Sequence, residues 1–290
     1  MPHGGLTGTP SAHVFVRSEE RFRPLYGSAM TGSSEIGSSR RSWAAAIAVL
    51  GAAVALAAAL VLVAAPLGYR VGLWPLATAL LFLPRVVVYD AGIAGAAISL
   101  VALVVAPAGR RRRGWAALAV LGIVLGAGSA YLPWRFAEMG HALPSMNDIT
   151  TDTSNPPAFE AVMPLREAAH AQPVTYGADF PALQKQAFPD IAPAHLDKHL
   201  DQAFAVALDA ARKLGWTIVA ADGERGRIEA TDRTFWYGFT DDIVVRVSAD
   251  GNGSRIDVRS KSRLGRGDFG TNARRVRAYL AALKSAGGTS

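Results

Sequence analysis

RIDVRSKSRLGRGDFGTN, Arg255 to Asn272, reads as a strand, a glycine-rich turn and the start of a helix. Ile256, Val258, Ser260 and Ser262 point one way along the strand; Arg255, Asp257, Arg259, Lys261 and Arg263 point the other. One face suits a core, the other water or an anion. The turn then spells GxGxxG through Gly265, Gly267 and Gly270. A dinucleotide fingerprint needs a second strand and an acid about 20 residues on. Here the next helix runs almost to the end of the sequence, so Rossmann chemistry is excluded. What survives is an anion seat, where backbone N–H groups at a helix start lie beside arginines. Arg259, Arg263, Gly265, Gly267 and Gly270 are its candidate residues.

Up to and including this stretch, four successive strands are predicted: Trp216 to Ala220, Arg227 to Thr234, Asp242 to Ala249, and Ser254 to Arg263 itself. The Asp222/Gly223/Gly226 and Asp250–Gly253 segments read as hairpin turns. Val174 to Ala178 adds a short first strand. Leu200, Phe204, Leu208, Ala211 and Leu214 recur at helical spacing, with Gly215 as the stop. Ala273, Val276, Leu280 and Leu283 form the apolar stripe of a last helix. The expected domain is α+β with two layers: an antiparallel sheet with helices on one face, in the order β-α-β-β-β-β-α.

The N-terminal half is of another kind. Trp43 to Ala65 is an uncharged run of 23 residues, long enough to cross a bilayer. Val86 to Ala106 and Trp115 to Trp134 are two further spans. Val71 to Leu83 is too short to span and reads as an interfacial or re-entrant lead-in. The expected division is a disordered cytoplasmic tail over 1–42, three spans over 43–135, a polar proline-bearing stalk over 136–160, and a soluble domain over 161–290. Met30, just before the first span, offers a second translation start.

Charge separates along the chain. Residues 1–144 carry 12 arginines against 5 acids, and residues 145–290 carry 18 basic and 18 acidic groups. The outer half therefore lacks the basic footprint of a nucleic-acid-binding domain. The arginine excess has a topological meaning instead. Arg17, Arg21, Arg23, Arg40 and Arg41 precede span one, Arg110 to Arg113 lie between spans two and three, and the first loop holds Arg70 and Arg85. By the positive-inside rule the N-terminus is cytoplasmic, and three spans carry the C-terminal domain outside, to the periplasm of a bacterial inner-membrane protein. Arg40-Arg41 resembles a twin-arginine signal, but the apolar run is longer than a signal core and two spans follow. Asp90 sits near the start of span two and reads as an interfacial acid, although intramembrane acids often serve transport.

Charge separates again within the outer half: residues 145–242 hold 8 basic and 15 acidic groups, residues 243–290 hold 10 and 3. Opposite charges favour cross-strand pairing. Glu229, Asp232, Asp241 and Asp242 are thus expected to partner Arg246, Arg259, Lys261 and Arg263 in a structural network. Asp241 and Asp242 fall on opposite strand faces, so they cannot form a catalytic carboxylate pair. There is no cysteine, which removes disulfides and thiolate sites. His195 and His199 lack a third ligand for a metal, and Asp148 with Asp152 lacks EF-hand spacing and reads as solvated stalk. The aromatic run Phe235 to Phe239 reads as a cap on a small core, with base or sugar stacking as the alternative.

NDITTDTSNPPAF (147–159), IEATDRT (228–234), FTDD (239–242) and DVRSKSRLGRGDFGTNARR (257–275) together resemble the bacterial family termed domain of unknown function 1499. The resemblance covers about 147–285 and implies a membrane-anchored envelope domain with no catalytic residues to carry over. The expected protein is an integral inner-membrane envelope protein whose external domain binds or organises an envelope protein or anionic component. Neither cofactor nor nucleic acid is called for, and the lipid bilayer is its first partner. Two alternatives stay open: an envelope hydrolase or phosphate-ligand enzyme using the Arg/Asp cluster, and a small transport-related accessory protein. Topology reporters fused at Gly114 and at Ser290 are expected to give opposite answers, cytoplasmic and external; the same answer at both would overturn three spans.

Overall fold

The computed structural model describes residues 31–105, 112–286 and 288–289. Three helices long and apolar enough to cross a membrane occupy Trp43–Arg70, Thr78–Val105 and Arg113–Ala142. The first belongs to α1 (Thr31–Arg70), which starts well ahead of the expected span, so residues 31–42 are helical and not tail. A nucleated apolar helix propagates at little cost into neighbouring residues. Residues 1–30, with Met30, lie outside the described part, as do Arg110 and Arg111 of the arginine block.

The 71–83 segment divides between a turn after α1 and the start of the second helix. That helix begins as a π-helical stretch, Thr78–Val88, and continues as α2 (Tyr89–Val105). Pro84 lies inside the wide stretch, where its missing N–H breaks the ordinary ladder, and Tyr89 N–H bonds back to Pro84 C=O. The third helix, α3 (Arg112–Ala142), takes in residues 136–142, where stalk was expected. Small residues let the helices touch. A Cβ on Gly95 would stand 2.6 Å from Ala55 N, and one on Gly126 would stand 2.5 Å from Gly92 O, the close approach typical of membrane bundles. Asp90 faces away from the bundle interior.

The C-terminal domain is α+β. Its sheet runs β3 (Thr217–Asp222), β4 (Arg227–Arg233), β5 (Thr240–Asp250), β6 (Gly253–Ser262), β2 (Ala194–Leu196) and β7 (Gly288–Thr289). A further strand, β1 (Asp148–Thr150), pairs with β6 antiparallel, in register Asp148↔Lys261 and Thr150↔Arg259. β1 and β2 thus share one edge of β6. The 147–160 stretch is therefore no stalk: Asn147 to Thr151 are buried in the sheet. Val174 to Ala178 forms no strand, and the Val174 carbonyl accepts from Arg259. Gly226 closes the β3–β4 turn at φ +60°, against β5; a Cβ there would clash with Val247 O.

α6 (Leu200–Lys213) and α7 (Thr271–Ser285) cover one sheet face. Ile228, Ile243, Val245, Ile256 and Val258 supply the strand side of the core, and Ala203, Ala207, Val276 and Leu283 the helix side. Trp216 and Tyr279 stack at 4.9 Å within it, and the Tyr279 hydroxyl donates to Ala207 O at 2.9 Å. Burial raises the Tyr279 phenol far above its ordinary pKa. The opposite face is charged, and what covers it defines the site.

Candidate functional site: a covered charged face and the groove beside it

Alternation along three adjacent strands places Arg227 and Glu229 of β4, Asp242 and Arg246 of β5, and Asp257, Arg259 and Lys261 of β6 on the face away from α6 and α7. Residues 151–180 are laid over them, including α4 (Met163–Ala168). Glu229 is fully buried and holds the cover by accepting from the backbone N–H of Glu160 (2.9 Å) and of Val162 (3.0 Å). Phe159 and Val162 pack with Val244 beneath the same cover.

Two buried carboxylates organise the rest. Asp148, from β1, takes a bidentate pair from Arg259, Nε to Oδ1 at 2.9 Å and Nη2 to Oδ2 at 2.8 Å, and also Lys261 Nζ at 3.1 Å. Arg259 donates further to the carbonyls of Pro157 (3.1 Å) and Val174 (2.6 Å). Its guanidinium lies over the rings of Phe159 (5.0 Å) and Tyr176 (5.5 Å). The carbonyls of Pro157 and Val174 are thus satisfied outside the sheet ladder. Asp242 holds Arg263 (2.7 Å) and Arg166 (2.5 Å). Arg166 and Arg263 also donate to Gln172 O and Leu165 O, in the cover.

The remaining network residues are dispersed. Arg246 and Arg255 pair with Asp257 and Asp152 at the far end of β5 and β6. Asp232 and Asp241 point to the helix face, where Arg275 meets both at 2.9 and 2.7 Å. Arg259 thus pairs with Asp148, not with the acids of β4 and β5. Arg166 and Phe159 in the site, and Arg275 on the helix face, were not singled out from sequence; Asp148 was, but as a solvated stalk residue, and it is fully buried. Only the Asp148↔Lys261 pairing of distant segments makes Asp148 a counter-ion.

The glycine turn holds its own anion. Asp268, inside the GxGxxG, accepts from the N–H of Gly270 (2.8 Å) and of Asn272 (2.6 Å) at the start of α7. Burial pushes the Asp268 carboxyl above the usual range, with those two N–H bonds opposing it. Gly265 and Gly270 take positive φ, +84° and +73°, and serve the turn. His195 meets Asp250 at 2.9 Å. Among the described residues no group of three or more His, Cys, Asp or Glu side chains could hold a metal.

An open groove of about 450 Å3 lies beside the Asp148 cluster, between Ser145–Asn147 and the 172–180 loop. Lys261 and Arg266 line it together with Asn147, Gln172 and Thr175. Arg266 is exposed and forms no ion pair among the described residues. Across the cluster next to the groove, Arg166, Arg259, Lys261 and Arg263 stand against two carboxylates, Asp148 and Asp242. Burial pushes Lys261 below the usual lysine range; Asp148 opposes this, while Arg259 and Arg166 add to it. The groove is thus lined by two cations and no carboxylate.

Residues 148–283 match the family model described as Protein of unknown function (DUF1499). Neither a curated protein nor a solved structure matches the chain.

The buried pairs are structural, and their removal is expected to be costly. Asp148→Ala strands two buried cations, and Arg259→Ala leaves Asp148 to Lys261 alone and takes the donor from the carbonyls of Pro157 and Val174, so each is expected to cost about 3–5 kcal/mol in thermal or denaturant unfolding. The double variant should lose far less than the sum. Lys261 behaves oppositely. Its folded pKa is depressed, so between that pKa and the ordinary lysine value the unfolded chain binds more protons and stability rises with pH. Lys261→Met leaves Asp148 with Arg259 and is expected to unfold within about 1 kcal/mol of the parent at pH 7, without the alkaline rise.

Proposed function

With its outer domain a DUF1499 domain joined to three helices able to cross a membrane, we propose that the chain is a bacterial inner-membrane envelope protein whose outer domain is a binding module, not an enzyme. The N-terminus lies in the cytoplasm and the domain on the periplasmic side; the arginines before α1 support this. The ligand is an anionic envelope component, carrying phosphate or carboxylate, taken up in the groove between Lys261 and Arg266.

The observation that carries this reading is the lining of the groove, which holds two cations, Lys261 and Arg266, and no carboxylate, with Arg266 in no ion pair among the described residues and a cluster of four cations against two carboxylates alongside. A low-dielectric wall strengthens that field. Catalysis by the Arg/Asp cluster is disfavoured, because Arg259 and Asp242 are buried beneath the 151–180 cover and already bonded. A substrate would have to displace those bonds before reaching either.

Inorganic pyrophosphate titrated into the detergent-solubilised full chain tests the reading by calorimetry. Arg266→Glu is expected to weaken binding at least tenfold, about 1.4 kcal/mol, while Arg212→Glu on α6 leaves it unchanged. Equal affinity across the parent and both variants, or no binding, would count against the groove.

A further inference from the structure

The β4–β5 connection, Phe235-Trp-Tyr-Gly-Phe239, divides its aromatics between two surroundings. Tyr237 and Phe239 stack on each other at 5.3 Å and both meet Tyr69, in the last turn of α1, at 6.4 and 5.9 Å. The Tyr237 hydroxyl donates to Ala79 O at 3.0 Å, and Arg70 Nη1 donates to Phe235 O at 3.3 Å. The loop is thereby pinned where the first helix ends and the second begins. Phe235 and Trp236 turn away from these contacts. They are 81% and 55% exposed and pack edge to face on each other at 5.3 Å. Elsewhere in the domain the large aromatics Phe159, Phe188, Trp216 and Tyr279 are buried.

What lies beside the exposed pair identifies its occupant. The adjoining turn after α1 exposes Val71 and Leu73, and the helices below expose Leu67, Leu81 and Phe82. That is the lipid-facing surface of the bundle, and Phe235 and Trp236 continue it onto the domain. The first span has 28 residues, about 42 Å at 1.5 Å per residue, against about 30 Å of hydrocarbon. Its last turn, with Tyr69 and Arg70, therefore stands at headgroup depth. Exposed aromatics beside Arg70 and Arg233 at that depth have the composition of an interfacial anchor.

We propose that Phe235 and Trp236 insert into the headgroup and acyl boundary of the leaflet from which α1 emerges, and hold the outer domain down on the bilayer. The occupant is the lipid surface. The inference rests on the three helices crossing a membrane and is independent of the groove.

The chain has no cysteine, so single nitroxide labels can be placed without removing any. Phe235→Cys and Trp236→Cys would be labelled in the full chain in nanodiscs of phosphatidylethanolamine and phosphatidylglycerol. Leu56→Cys in mid-helix and Lys213→Cys on α6 serve as lipid and water references. Power saturation should show both loop labels more accessible to oxygen than to a water-soluble nickel chelate, between the two references. Nickel accessibility equal to that at Lys213 would overturn the anchor. Exclusion of both reagents would overturn it too, and would point to a second copy or a protein partner on the loop. A nickel-accessible Leu56 label would overturn the membrane reading, and the anchor with it.

Discussion

Asp148 carries a charge with no exposure to water, and it is held between Arg259 and Lys261. Most of the C-terminal domain depends on that arrangement. An isolated carboxylate at such a depth is prohibitively costly, so β1 can enter the sheet only against the cations of β6, the bidentate Arg259 above all. Arg259 in turn binds the carbonyls of Pro157 and Val174, which draws both ends of the covering segment onto the sheet. One ion pair thereby fixes the edge of the sheet, the path of the cover and one wall of the groove. Because β1 follows α3 within a few residues, it also fixes the domain relative to the helix from which it emerges.

Burying so many charges is an unusual way to stabilise a small domain. Desolvation opposes each pair, and an apolar replacement of similar volume often does as well. What the charged face adds is directionality. Each guanidinium has a fixed fork of donors, and those of Arg166, Arg259 and Arg263 reach named carbonyls of the cover. A cover with little regular structure of its own gains one path over the sheet. The surplus of cations left beside the groove is then the feature available for function.

The strands after residue 216 and the two long helices were legible in the sequence, because alternation and helical spacing are local signals. So was the split of β6 into an apolar and a charged face. The cover was not. Asn147 to Phe159 has the composition of a solvated linker, and only Arg259 and Lys261, more than a hundred residues away, turn it into buried structure. The glycine turn misled for a related reason. A helix start beside arginines suits an external anion, but Asp268 within the motif already occupies the N–H groups. Phe235 to Phe239 read as a core cap; Tyr237 and Phe239 instead cap the end of α1, a surface that exists only once the helices and the domain are joined.

Native-state hydrogen exchange of the amides of Glu160 and Val162, which donate to buried Glu229, tests most directly whether the charge network locks the cover to the sheet. With the lock in place, these amides exchange only through global unfolding, with the same opening free energy as the central amides of β5 and β6. Buried pairs are poorly screened, so that free energy should hardly change between low and high salt. Opening of the cover well below the global free energy, and easier in salt, would contradict it: the arginines would then be surface charges under a loose flap.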